Sequence, residues 1–208
     1  MKIKLLILHV LIVSFSLAQD LKKDTIQLEE TILYDKSKFK LRRIGPETTS
    51  KFVCFPFPDA RSHDLTFNYE VFTLINAPKR NFKVQKVNLN FGIPPEKDSI
   101  LIDFRLYKIS NNKPSEDYFF EKNNVIINNI NIKHNTFTLN LKDSNISYNN
   151  KFYVMMKVKS RMINERACLS GVMMSNSYIK EANDSINFQK IPLGGKPSIN
   201  ADLLIEKK

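Results

Sequence analysis

The chain has 208 residues, a formal net charge of +11, three histidines, two cysteines and no tryptophan. Its basic residues are scattered among apolar positions and turns, with no run of five, so the charge describes a solvated surface rather than a nucleic-acid footprint. Histidines and cysteines stand at no ligand spacing, which removes a transition-metal signature.

Met1 to Ala18 reads as a signal peptide. Lys2 and Lys4 precede an apolar run from Leu5 to Leu17, about a dozen residues against the ~20 that a spanning helix needs. Ser16 and Ala18 are small residues at the positions a signal peptidase reads, so cleavage after Ala18 would leave Gln19 first. No later segment is apolar enough to be a transmembrane helix. The mature chain is therefore expected in the periplasm, at the cell surface or outside the cell. Export permits a disulfide between Cys54 and Cys168, while burial as two small hydrophobes is the competing reading; the sequence leaves both open.

Residues 19–38 form a polar leader, in which Ile26, Leu28, Ile32 and Leu33 offer at most one short edge strand or a turn of helix. The folded domain is expected over 39–208. Gly45, Pro46, Pro56 and Pro58 restrict the first part to short edge strands. Phe52, Phe55 and Phe57 there read as anchors of a loop crossing the end of a sandwich, the other use being an exposed binding surface. Leu65, Phe67, Tyr69 and Val71 alternate as a strand. Val87, Leu89 and Phe91 then point one way, with Asn88 and Asn90 pointing the other.

The clearest strand begins at Ile100. Ile100, Ile102, Phe104 and Leu106 alternate with Leu101, Asp103, Arg105 and Tyr107, which places the first set on a buried face. A polar loop from Ser110 to Asp117 follows, marked by Asn111, Asn112 and Pro114, with Tyr118 at its exit. Val125–Ile132, Thr136–Leu141 and Lys151–Lys159 read as further strands, separated by turn residues. In the run after Arg166, Gly171 marks a bulge or a close backbone approach. Segments around Phe188 and from Asn200 to Glu206 complete eight or nine short strands. No apolar run keeps helical spacing. The fold class is all-β, a two-sheet antiparallel β-sandwich, jelly-roll-like.

The strand ending in Arg105, Tyr107 and Lys108, and the loop carrying Asn111, Pro114, Glu116 and Asp117, resemble a group of exported Bacteroidetes β-sandwich proteins. Pro197 before a terminal strand and the early Ile26–Glu30 segment are similar to that group too, although Ser115 stands where its loop has glycine. The resemblance spans Ile26 to Lys208. It implies a jelly-roll similar in shape to carbohydrate-binding modules, and brings no catalytic residue set with it.

The residues themselves suggest no chemistry. His63 and Asp64 beside Ser62 are neighbours in sequence, which is not a triad, and no serine sits in a nucleophile elbow. His134 lies in a turn. No cofactor is implied, and the Asp/Asn residues of Lys142–Asn150 lack EF-hand spacing and read as turn residues. The expectation is a non-enzymatic binding or surface-associated structural module, its partner a glycan or a cell-surface protein and not a nucleic acid, with a hydrolase as the alternative of another class. For a ligand site, Tyr118 offers a ring face, with Asn111, Asn112, Glu116 and Asp117 as hydrogen-bonding groups around it. A solvated hairpin with Tyr118 covering the core's edge is the competing reading.

Overall fold

The computed structural model describes residues 34–58, 69–173, 177–181, 187–191 and 195–207. The signal-peptide segment, most of the leader, Leu65, Phe67, and the Ser62–Asp64 group lie outside the described residues. The chain divides into Met1–Asp35 and Lys36–Lys208, and the second unit holds every strand below.

In chain order the strands are β1 (Phe39–Ile44), β2 (Cys54–Pro56), β3 (Tyr69–Ile75), β4 (Phe82–Ile93), β5 (Ile100–Ser110) and β6 (Lys113–Ile127). There follow β7 (Ile132–Lys133), β8 (Thr136–Asn140), β9 (Ser147–Tyr148), β10 (Phe152–Val158) and β11 (Cys168–Val172). The last are β12 (Ser177–Glu181), β13 (Gln189–Lys190), β14 (Lys196–Pro197) and β15 (Ile199–Glu206). Among the described residues they make two antiparallel sheets. One runs β1-β15-β4-β11-β14, with β2 added on β11, β8 and β9 on β4, and β7 on β8; the other runs β13-β12-β3-β10-β5-β6. Among the described residues the chain crosses between sheets eight times, from β2 to β3, β3 to β4, β4 to β5, β6 to β7, β9 to β10, β10 to β11, β11 to β12 and β13 to β14, as a two-sheet sandwich requires.

The alternation of β5 is realised. Ile100, Ile102, Phe104 and Leu106 are buried in the main core with Val87, Leu89, Phe91, Phe152 and Val154. Two-state alternation fails on the outer faces, however, because both are covered. Asn88 and Asn90 point away from the core and are nevertheless buried. Asn88 Nδ2 donates to Asn200 Oδ1 at 2.7 Å, while its Oδ1 accepts from Thr138 Oγ1 at 2.8 Å. Asn90 Oδ1 accepts from Thr136 Oγ1 at 2.9 Å and its Nδ2 donates to the Ser198 carbonyl at 3.0 Å. The Pro46 carbonyl closes this network by accepting from Asn200 Nδ2 and Ser198 Oγ. Gly45 makes that approach possible: its φ is +122°, and a Cβ there would stand 2.6 Å from the Ile199 carbonyl.

The Ser110–Asp117 loop of the sequence reading is corrected. Asn111 (φ 49°) and Asn112 (φ 61°) form a two-residue turn, and β6 starts at Lys113. Asparagine tolerates left-handed backbone, and two successive positive φ values match the twist of a tight hairpin. His134 and Asn135 (φ 49° and 61°) join β7 to β8 in the same way. The Val125–Ile132 run is corrected too: β6 ends at Ile127, and Asn128 caps a 3-10 turn over Asn129–Asn131 by accepting from the Ile130 and Asn131 amides.

Candidate functional site

The residues proposed from sequence are not gathered around one ring. Tyr118 is 47% exposed and sits on β6, not in a loop. Its ring packs edge-on against Tyr107 at 5.7 Å and lies 5.2 Å from the Arg105 guanidinium. Arg105 also donates to Glu121 at 2.6 Å, which holds that carboxyl below its usual range. Asn112 serves the fold, because its carbonyl accepts from Tyr153 Oη at 2.9 Å and Tyr178 Oη at 3.4 Å. The hairpin tip is thereby held over the outer face of the six-stranded sheet, where Phe72, Tyr107, Tyr153, Met155 and Tyr178 form a second apolar cluster. Burial first, then neighbouring Tyr178, push the Tyr153 hydroxyl above its ordinary range. Asn111, Glu116 and Asp117 are exposed, and Asp117 stands 3.6 Å from Lys108.

The three early phenylalanines separate. Phe52 is fully exposed, Phe57 is buried, and Phe55 is half-buried. Phe55 is held in a slot between two glycines. A Cβ on Gly171 would stand 2.8 Å from Val53 Cγ1 and closer still to the Phe55 ring, and one on Gly195 would stand 2.9 Å from Phe55 Cζ. Gly171 is thus the close approach that its sequence position suggests. Cys54 and Cys168 are bonded, with their Cα atoms 5.7 Å apart, and join β2 to β11 beside this slot.

Phe55 is one wall of a cavity of about 320 Å³ between the sheets. Pro56, Leu169 and Pro197 line it from the nine-stranded sheet. Val71 of β3, Met156 and Val158 of β10, and Ile179 of β12 line it from the other sheet. Pro58, another wall residue, accepts from the Met162 amide, tying the cavity to the segment that follows β10. That segment is fixed by two carboxylates. Asp98 accepts from the amides of Ile163 and Asn164, and Glu165 accepts from those of Glu96, Lys97 and Asp98. Chiefly the amide of Asn164 holds the Asp98 carboxyl below its usual range.

Polar groups lie close behind the apolar wall. Lys196 is only 6% exposed, and its Nζ donates to the Leu74 carbonyl at 2.7 Å. Burial holds this ammonium group down to about 8. Thr73 and Ser177 face each other across β3 and β12, both buried. Sequence reasoning misses this group, since Lys196 follows two glycines and reads as a turn residue. Among the described residues no cluster of three His, Cys, Asp or Glu side chains is placed to hold a metal ion, and no helix is long and apolar enough to cross a membrane.

No family model and no curated protein matches the chain. Among solved structures it is similar to the cysteine protease and lectin-like domains of Cwp84, a surface layer associated protein of Clostridium difficile. The identity is 11% and the TM-score 0.46, with 66% of this chain and 32% of that chain covered. The chain therefore spans about a third of that structure's length.

Proposed function

We propose that this chain is an exported, non-enzymatic binding module that takes a small apolar ligand between its two sheets. The observation that supports this reading is the cavity walled by Phe55, Val71, Met156, Val158, Leu169 and Ile179. Its volume of about 320 Å³ lies in the range of ligand pockets, which are mostly apolar and largely pre-formed. A cavity of ~150 Å³ lined by aliphatic and aromatic residues binds benzene, so twice that volume suits about a dozen carbon atoms. Sugar stacking, by contrast, needs a free ring face; the rings of Tyr107, Tyr153 and Tyr178 are consumed in packing, and exposed Tyr118 already carries Tyr107 and the Arg105 guanidinium.

The test is a titration with N-phenyl-1-naphthylamine, a neutral apolar fluorophore. We expect saturable binding at one site per chain. Val71→Phe, which extends a side chain into the cavity, should weaken it at least tenfold while the melting transition stays cooperative. Non-saturating fluorescence, or affinity indifferent to Val71→Phe, would sink the reading.

A further inference from the structure

The inner face of the six-stranded sheet changes character just beyond the cavity wall, along one pair of strands. On β3 and β12, Val71 pairs with Ile179, and both line the cavity. The next rung on the same face is Thr73 opposite Ser177, about 7 Å further along. Both residues are almost fully buried, and neither Thr73 Oγ1 nor Ser177 Oγ has a hydrogen-bond partner. Buried hydroxyls are nearly always paired, so two adjacent orphans call for a missing partner.

Lys196 reaches the same place from the opposite sheet. Its Nζ meets the carbonyl of Leu74, next in sequence to Thr73. Lys196 itself precedes Pro197 of the cavity wall. A buried ammonium is ordinarily paired with an anion. Among the described residues no carboxylate lies within ion-pair distance of Lys196. The buried carboxylate of β3, Glu70, occupies the other face of the strand and pairs with Lys180 at 3.1 Å. One cation held only by a backbone carbonyl and two unpaired hydroxyls therefore stand beside an apolar cavity.

We infer that the ligand is an amphiphile, a carboxylate on an apolar chain of about a dozen carbons, with its head taken by Lys196, Thr73 and Ser177 and its chain lying against Val71 and Ile179. This rests on the cavity reading and goes further by assigning the head group. Charge-assisted bonds to a desolvated carboxylate are the strong class, and the head would satisfy three groups at once.

The experiment displaces bound N-phenyl-1-naphthylamine with dodecanoic acid or with dodecanol at pH 7. The acid should bind at least tenfold tighter than the alcohol. In Lys196→Met the acid should fall to within about twofold of the alcohol, with the alcohol's own affinity unchanged. Thr73→Val, nearly the same shape, should weaken the acid alone and serves as the readout if Lys196→Met does not fold. Equal affinities in the unaltered protein, or a Lys196→Met effect shared by both ligands, would overturn the head-group assignment and leave the cavity reading standing. If the fluorophore binds and neither dodecyl compound displaces it, the amphiphile is excluded. Failure of the fluorophore itself removes the cavity reading and this inference with it.

Discussion

The interior of the sandwich has two ends that are held by different means. At one end rings fill the space: Phe82 packs on Phe152 at 5.9 Å and Phe119 stacks on Tyr148 at 4.5 Å. At the other end Val71, Val158, Leu169 and Ile179 surround a space instead of touching across it. There a disulfide and a phenylalanine slotted between glycines tie β2 to β11 within the nine-stranded sheet, and a lysine reaches from that sheet to the backbone of the other. Close packing gives stability wherever it is continuous, and covalent or polar ties replace it where a volume must stay open. Stability and ligand capacity are therefore separable in this molecule.

The largest effect should come from the disulfide, the one place where stability and ligand capacity are lost together. Replacing Cys54 and Cys168 by serine opens a loop of 114 residues, with an expected loss of roughly 4–5 kcal/mol in the chain-entropy model. Urea unfolding measures it, and fluorophore binding should weaken in the same variant because β2 carries Phe55. A variant that loses neither would mean the hollow end does not depend on the disulfide.

Phe104→Ala, in the packed core opposite the cavity-wall residue Met156, should cost roughly 3–5 kcal/mol and change the fluorophore's affinity far less than Val71→Phe does. An unaltered melting temperature would show that Phe104 is not a core contact. An affinity loss as large as that of Val71→Phe would show that packing and ligand capacity are coupled.

Lys196 supplies a smaller, pH-dependent effect. Its ammonium group titrates near 8 when folded against 10.5 ordinarily. Below pH 8 both folded and unfolded chains hold the proton, and the burial cost of roughly 3 kcal/mol is present in full. Between about 8 and 10.5 only the unfolded chain holds it, so stability rises with pH across that window and then levels. Subtracting the stability profile of Lys196→Met isolates this slope from tyrosine ionisation. A flat difference profile would mean that the lysine is solvated.

Val71→Phe should have the smallest effect on stability, within about 1 kcal/mol, because the added ring enters existing space rather than displacing neighbours. A loss like that of Phe104→Ala would mean the space is already filled.

What could be read from sequence divides along the same line. The packed face of β5 was legible because Ile100, Ile102, Phe104 and Leu106 combine strict alternation with burial on one face. The hollow end was not, since Val71 and Val158 alternate just as core residues do, and periodicity records a facing direction without saying what lies opposite. The Tyr118 proposal took Asn111-Asn112 as the start of a loop. Both asparagines adopt left-handed backbone, so the strands continue to the turn and the tyrosines beneath hold it down. Asn88 and Asn90 look like solvent-facing residues until Thr136, Thr138 and Asn200 arrive from strands more than 40 positions away.

The hairpin of β5 and β6 leaves β6 as the outermost strand of its sheet, 15 residues long. A free edge of that length is ordinarily a template on which a second chain can add a strand and begin a fibril. Here the pairing of β6 with β5 is interrupted three times, so no stretch of regular register exceeds three residues. Asn124 turns left-handed within it, and Pro114 has no amide hydrogen to offer. An incoming strand would lose step after every two or three hydrogen bonds. The irregular edge is therefore a poor template for polymerisation through the protein's own sheet.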